Sequence, residues 1–278
     1  MLKSKDLPIR NGILNHLKKH QAKIDALPSY KAQVLQSKRS WQSKKKSKAQ
    51  KSAFNSVEKE LQKIAPGKIS HCQYCESNIG TNIEHVYPKG WFPNLTFSWT
   101  NFLWACQQCN GIYKIAQFQL FEAPDSSKTI NLRANKQFKA PPNEDAVFIN
   151  PRVDNPMDYL ILNLESGLFQ IMANDPRSRA YKRAQYTLAT LRLNRRQHLV
   201  SERQQAYRIY TQLLVEYIAA RFESIDLPLA NKRCLQLQKT ILATPHPTVW
   251  KEMQRQANRI ASLSAYFALA PEALAWDY

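Results

Sequence analysis

Two cysteine pairs constrain this chain more than any other feature. HCQYCES carries Cys72 and Cys75, and ACQQCNG repeats the CxxC spacing at Cys106 and Cys109, with 30 residues between the pairs. A CxxC turn presents two thiolates to one side, and two such knuckles close a tetrahedron around one zinc ion. A four-thiolate shell leaves no coordination position open, so the spacing predicts a structural zinc held by Cys72, Cys75, Cys106 and Cys109. A segment this short has little core of its own, and the metal is expected to supply much of its folding energy. Cys234 stands alone in a helical stretch and reads as a small buried thiol. The start, MLKSKDLPIRNGILNHLKKH, has no apolar signal-peptide core, and no run approaches the ~20 apolar residues of a membrane span. The expectation is a cytoplasmic protein with reduced thiols and no membrane contact.

Charge bounds the partner. The 278 residues carry 40 Lys and Arg against 21 Asp and Glu, a net charge of +19. An excess of this size favours a polyanion, most often nucleic acid. It is uneven, since residues 1–69 hold 17 basic and 4 acidic side chains. The run Lys44, Lys45, Lys46, Lys48 and Lys51 has two readings. It neutralises phosphates, or it is a solvated helix face that meets an acidic protein partner. Lys89 belongs to the same nucleic-acid-binding expectation.

The chain divides into a basic helical region (1–70), a cysteine-rich and aromatic-rich core (71–120) and a mixed, mainly helical remainder (121–278). One amphipathic helix is expected before Pro28. One or two more follow over 29–65, with Asn55 as a candidate N-cap and Gly67 closing the last. Residues 119–145 read as loop. VFINPRVDNP reads as a strand and turn, and YLILNLESGLFQIM as a hairpin turning near Gly167. Asp175-Pro176 opens a helical region. Leu199, Arg203, Tyr207, Tyr210, Leu214, Tyr217 and Ile218 then recur at helical spacing, and the tail breaks into shorter helices around Pro245 and Pro247. The fold class is α+β and mainly helical. The aromatic run GWFPNLTFSWTNFLW reads as the miniature core of the cysteine-rich unit, with base stacking as the alternative.

Polar groups cluster between and after the knuckles. IEHVYPKG sets Glu84 beside His85, although neighbours in a strand point to opposite faces. Asn101 begins NFLWAC, a predicted strand. Asn110 follows Cys109 directly, and Lys114 lies one helical turn further on the same face. His71 reads as an exposed turn residue rather than a fifth ligand. His16, His20, His198 and His246 take no role.

CQYC, then IEHVYPKG, then WTNFLWACQQCNGIYK resemble in order and spacing the HNH endonucleases, the ββα-metal fold, over residues 71–116. INPRVDNPMDYL and RAQYTLATLRLNRR add a weaker resemblance to the PtuB-like HNH proteins of Septu-type and retron-associated phage-defence systems. The resemblance implies an HNH finger with a structural four-cysteine zinc site, set between basic N-terminal helices and a helical C-terminal half. It implies His85 as general base and Glu84 and Asn110 as ligands of one divalent ion, magnesium or manganese. Asn101 would fix the loop and help orient the His85 ring, and Lys114 would hold a phosphate. The implied substrate is DNA, with RNA as the alternative, and the implied partner is a PtuA-type ATPase. Asn110 stands where the motif usually has a second histidine, which lowers the expectation of a soft metal there. A competing reading of the same residues is a zinc module that binds nucleic acid without cutting it.

Overall fold

The computed structural model describes all residues except 6, 66–70, 78–81, 133–137, 143–144 and 224. Helix α1 (Asn11–Asp25) buries Ile13, Leu17 and Ile24 along one face. Helix α2 (Tyr30–Gln42) starts at Ser29, whose hydroxyl accepts from the Ala32 N–H. Helix α3 (Lys48–Ile64) buries Phe54, Val57, Leu61 and Ile64, which recur at the 3.6-residue period. Its start corrects the Asn55 expectation. Ser47 and Gln50 cap each other's backbone in a reciprocal box, so the helix begins eight residues earlier and Asn55 is interior. The expected stop at Gly67 lies outside the described residues.

Strands β1 (Asn82–His85) and β2 (Phe102–Ala105) pair antiparallel, with Ile83 opposite Trp104 and His85 opposite Phe102. Alternation gives this hairpin two working faces. Ile83, Phe102 and Trp104 join Phe97, Trp99 and the apolar faces of α1 and α3 in one core. Leu103, Ala105 and the four cysteines of the knuckles join a larger core with the C-terminal half. Most of the aromatic run is therefore buried core, as expected, while Trp91 and Phe92 are half-buried. After Cys106 the chain coils through Gln108–Lys114 as a π-helix, in which the Ile115 N–H bonds the Asn110 carbonyl at 2.8 Å. The expected ordinary helical turn is thus wound more widely.

Residues 119–145 are not simply loop. Strands β3 (Phe118–Phe121) and β4 (Thr129–Leu132) form a second hairpin, because Phe118, Leu120 and Phe121 have a core to enter. The strand expected in VFINPRVDNP is not present. Val147, Phe148 and Ile149 are buried as irregular chain, with one bridge at Ala146 to Leu120. Strands β5 (Leu160–Leu162) and β6 (Phe169–Ile171) form the expected third hairpin, whose turn uses Gly167 at φ +68°. Helix α4 (Arg179–Leu191) starts three residues after Pro176, because the Ser178 hydroxyl caps it.

Helix α5 (Gln197–Arg221) packs along α6 (Leu227–Ala243). Arg203 of α5 is buried and donates to the carbonyls of Gly167 and Leu193, tying α5 to the third hairpin. Helices α7 (Pro247–Arg255) and α8 (Ala261–Leu269) complete the C-terminal half, with Pro247 at a tolerated first-turn position. Cys234 is half-buried on α6 against the core. Among the described residues, no helix is long and apolar enough to cross a membrane.

Candidate active site

The knuckles flank the open end of the β1–β2 hairpin. The Gln73 N–H donates to the Trp104 carbonyl, and the Gln73 side chain accepts from the Trp104 N–H. This pins the first knuckle to β2. The sulfur atoms of Cys72, Cys75, Cys106 and Cys109 lie within 4.8 Å of one another and are buried. Four ligands about 2.3 Å from a tetrahedral zinc stand roughly 3.8 Å apart, and Cys75 and Cys106 are 3.8 Å apart. The set can hold a zinc ion. Four thiolates around Zn²⁺ would leave a buried net negative charge. Arg196, at the start of α5, places Nη2 3.4 Å from Cys109 Sγ, where it offsets that charge. Burial works to lower the Arg196 pKa, but the Cys109 and Cys75 charges outweigh it and the guanidinium is held more firmly charged. His71, expected at an exposed turn, is buried beside the first knuckle.

Glu84 and His85 lie at the other end of β1, on opposite faces as alternation requires. Glu84 turns towards the larger core, where its Oε1 is 2.6 Å from the Lys114 ammonium. That oxygen has an ion-pair partner but no aligned hydrogen-bond donor. Burial raises the Glu84 pKa, and Lys114 opposes the rise. His85 turns towards α2, edge-on to Trp41 at 4.2 Å and to Phe102 at 5.3 Å. Its Nε2 is 2.9 Å from the Thr96 carbonyl. A carbonyl can only accept, so Nε2 carries the proton and Nδ1 keeps its lone pair. Burial, and next the Lys89 charge, hold the His85 pKa well below its ordinary value, which keeps the ring neutral at pH 7.

Both residues still reach one cavity. The strand ends at His85 and the chain bends at Val86 and Tyr87, so both faces become accessible from one side. The cavity measures about 330 Å³, and its wall includes Lys38, Trp41, Lys89, Trp91 and Asn110 besides Glu84 and His85. Asn110 also places Nδ2 3.4 Å from the Ile83 carbonyl. Asn101 is buried and clamps the loop after β1. Its oxygen accepts from the Tyr87 N–H at 2.7 Å, and its amide donates to the Tyr87 and Leu95 carbonyls, both at 3.0 Å. The Leu95 contact holds the chain next to Thr96, whose carbonyl fixes the His85 ring.

Lys114 differs from expectation. Its side chain has no exposed surface, and its ammonium donates to the His85 carbonyl at 2.9 Å while contacting Glu84. In this arrangement it braces the acid–histidine pair instead of reaching a phosphate. The basic run is also divided. Lys45 pairs with Glu58 at 2.7 Å and Lys44 sits over the Trp41 ring, while Lys46, Lys48 and Lys51 are exposed. Lys38, Trp41, Trp91 and the Thr96 carbonyl were missed as site components. A tryptophan among Lys38, Arg39 and Lys44 was the one local signal available for them.

The Septu protein PtuB of Bacillus thuringiensis is 40% identical to this chain over 45 residues, 14% of this chain and 18% of that protein. The chain therefore matches less than a fifth of the length of that relative, a distant relation. No family profile and no solved structure matches.

Proposed function

We propose that this chain is a metal-dependent nuclease of the HNH type acting in antiviral defence. The carrying observation is the neutral His85, its Nε2 committed to Thr96 so that Nδ1 keeps the basic lone pair, beside Glu84 on a lysine-lined cavity. In this reading Nδ1 takes the proton from a water that attacks the phosphodiester. Glu84 and Asn110 would hold a divalent ion, whose charge stabilises the phosphorane and the leaving oxygen. The fit rests on the oxygen-only donor pair, a carboxylate and an amide, which suits magnesium or manganese. Asn101 positions the loop that presents Thr96, and Lys114 keeps the Glu84 carboxylate in place. The four cysteines hold zinc and take no part in the reaction.

The net charge of +19 supports a nucleic-acid substrate, with DNA ahead of RNA on the resemblance. The Septu relative supports a defence setting, and the sequence resemblance adds a PtuA-type ATPase as partner. A second reading keeps the zinc unit as a binding module without chemistry, and the Lys114 ammonium already neutralising Glu84 favours it. The test is supercoiled plasmid with the purified chain and magnesium or manganese. Nicking that EDTA and His85→Ala both abolish supports the nuclease. Binding without nicking, across DNA and RNA substrates and with the partner present, supports the module. RNA products ending in a 2′,3′-cyclic phosphate would move the substrate to RNA.

A further inference from the structure

We propose that the cavity beside His85 takes an unpaired nucleotide strand, with a base against Trp41 and the backbone phosphates on Lys38 and Lys89. The cutting of that strand rests on the nuclease reading, whereas its binding can be measured apart from it.

Depth is the first argument. Glu84 is 3% exposed and His85 6%, both at the floor of a cavity of about 330 Å³. That volume suits one nucleotide-sized ligand and is far too small for a double helix. Reaction needs the phosphorus within about 3–3.5 Å of an attacking water held by His85. A phosphate in a regular duplex sits on a stiff, convex cylinder, with a persistence length of about 50 nm. Such a surface does not follow a concave floor, but a flexible single strand does.

The chemistry of the wall is the second argument. Non-sequence-specific single-strand sites interleave cations for the backbone with aromatic faces for the bases. Here the Lys44 and Lys89 ammoniums lie 4.3 and 5.8 Å from the Trp41 ring centre. Lys38 is exposed one helical turn before Trp41, and Trp91 stands on the same wall. Burial pulls the Lys89 pKa down, and an arriving phosphate would oppose that shift. Trp41 is also held in place before any strand arrives. It packs on Phe54 at 5.8 Å, Phe97 at 5.8 Å and Phe102 at 5.5 Å, so little ordering is left to the binding step. Helix α2 lies outside the 71–116 stretch that carries the HNH resemblance, so these contacts are a feature of this chain's own N-terminal region.

The test uses the full zinc-loaded chain without added divalent ions. The probe is a fluorescein-labelled oligodeoxynucleotide of about 12 nucleotides, compared with its blunt duplex at equal salt. Anisotropy is expected to give at least about tenfold tighter binding to the single strand. Lys38→Glu and Trp41→Leu are each expected to weaken it by about tenfold. Lys232→Glu makes the same charge change on the exposed side of α6 and is expected to leave binding nearly unchanged. Trp41→Leu disturbs packing, so the decisive comparison is Lys38→Glu against Lys232→Glu. Duplex binding equal to or tighter than that of both single-stranded forms, DNA and RNA, or equal effects of these two lysine variants, would overturn the proposal. Selective binding followed by no cutting of DNA or RNA, once manganese and the ATPase partner are added, would break the nuclease reading alone. An oligoribonucleotide of the same sequence completes the set. Tighter binding of either sugar form over the duplex supports the cavity and identifies the backbone it takes.

Discussion

The cysteine centre and the Glu84–His85 cavity sit at opposite ends of one hairpin of two four-residue strands, yet they differ in almost every physical respect. The first gathers four identical soft donors within 4.8 Å, buried and closed. The second spreads a carboxylate, an imidazole and an amide around open volume, with cations and tryptophans on the wall. A closed shell of thiolates commits all its coordination to one ion and gives rigidity. A sparse shell of hard oxygens leaves room for water and substrate, and it depends on the closed site to keep its geometry.

The comparison breaks most visibly at the cysteines. Cys109→Ser is expected to remove zinc and cost on the order of 5 kcal/mol or more. Metal analysis and thermal melting read this, and retained zinc with a native melt would refute the staple. His85→Ala should leave zinc in place and reduce cleavage by roughly 100-fold or more, measured as initial rates. Lys114→Met strands the buried Glu84 charge and should destabilise by about 3–5 kcal/mol. Manganese should then raise the melting temperature more than in the parent chain, because the ammonium no longer competes for Glu84. Asn101→Ala removes three hydrogen bonds and should cost about 3 kcal/mol by denaturant unfolding, with zinc unchanged.

The smallest effect is the pH response. His85 has a folded pKa below the ordinary 6.5, so its neutral, basic form persists as pH falls through that value. The acid limb of the cleavage profile should therefore lie below pH 6.5. Stability has the same sign. Between 6.5 and the folded pKa the unfolded chain binds a proton that the folded chain refuses, so this contribution is present above 6.5 and is lost on acidification. An acid limb centred above 6.5 would argue against His85 as the base.

How much of this was legible depends on distance along the chain. The thiol cluster could be read from CxxC spacing because each knuckle is local. The sequence also placed Glu84 and His85 together, but not the reason both serve one cavity, which is the bend at Val86 and Tyr87 that opens the strand's end. Helical period puts Lys114 on the Asn110 face, and the structure instead turns its ammonium inward to Glu84. Trp41 is 44 residues from His85, and nothing local to the acid–histidine pair announces it. Likewise Val147–Ile149 looks like a strand because an apolar run reads alike whether it enters a sheet or a buried irregular segment.

The central claim is that two metals take two separate sites on this hairpin. Its most direct test is a calorimetric titration of manganese into the zinc-loaded chain, alongside Glu84→Gln. The account predicts one manganese site that the substitution removes, with zinc at one per chain in both proteins. Manganese binding that survives Glu84→Gln, or that occurs only by displacing zinc, would contradict it.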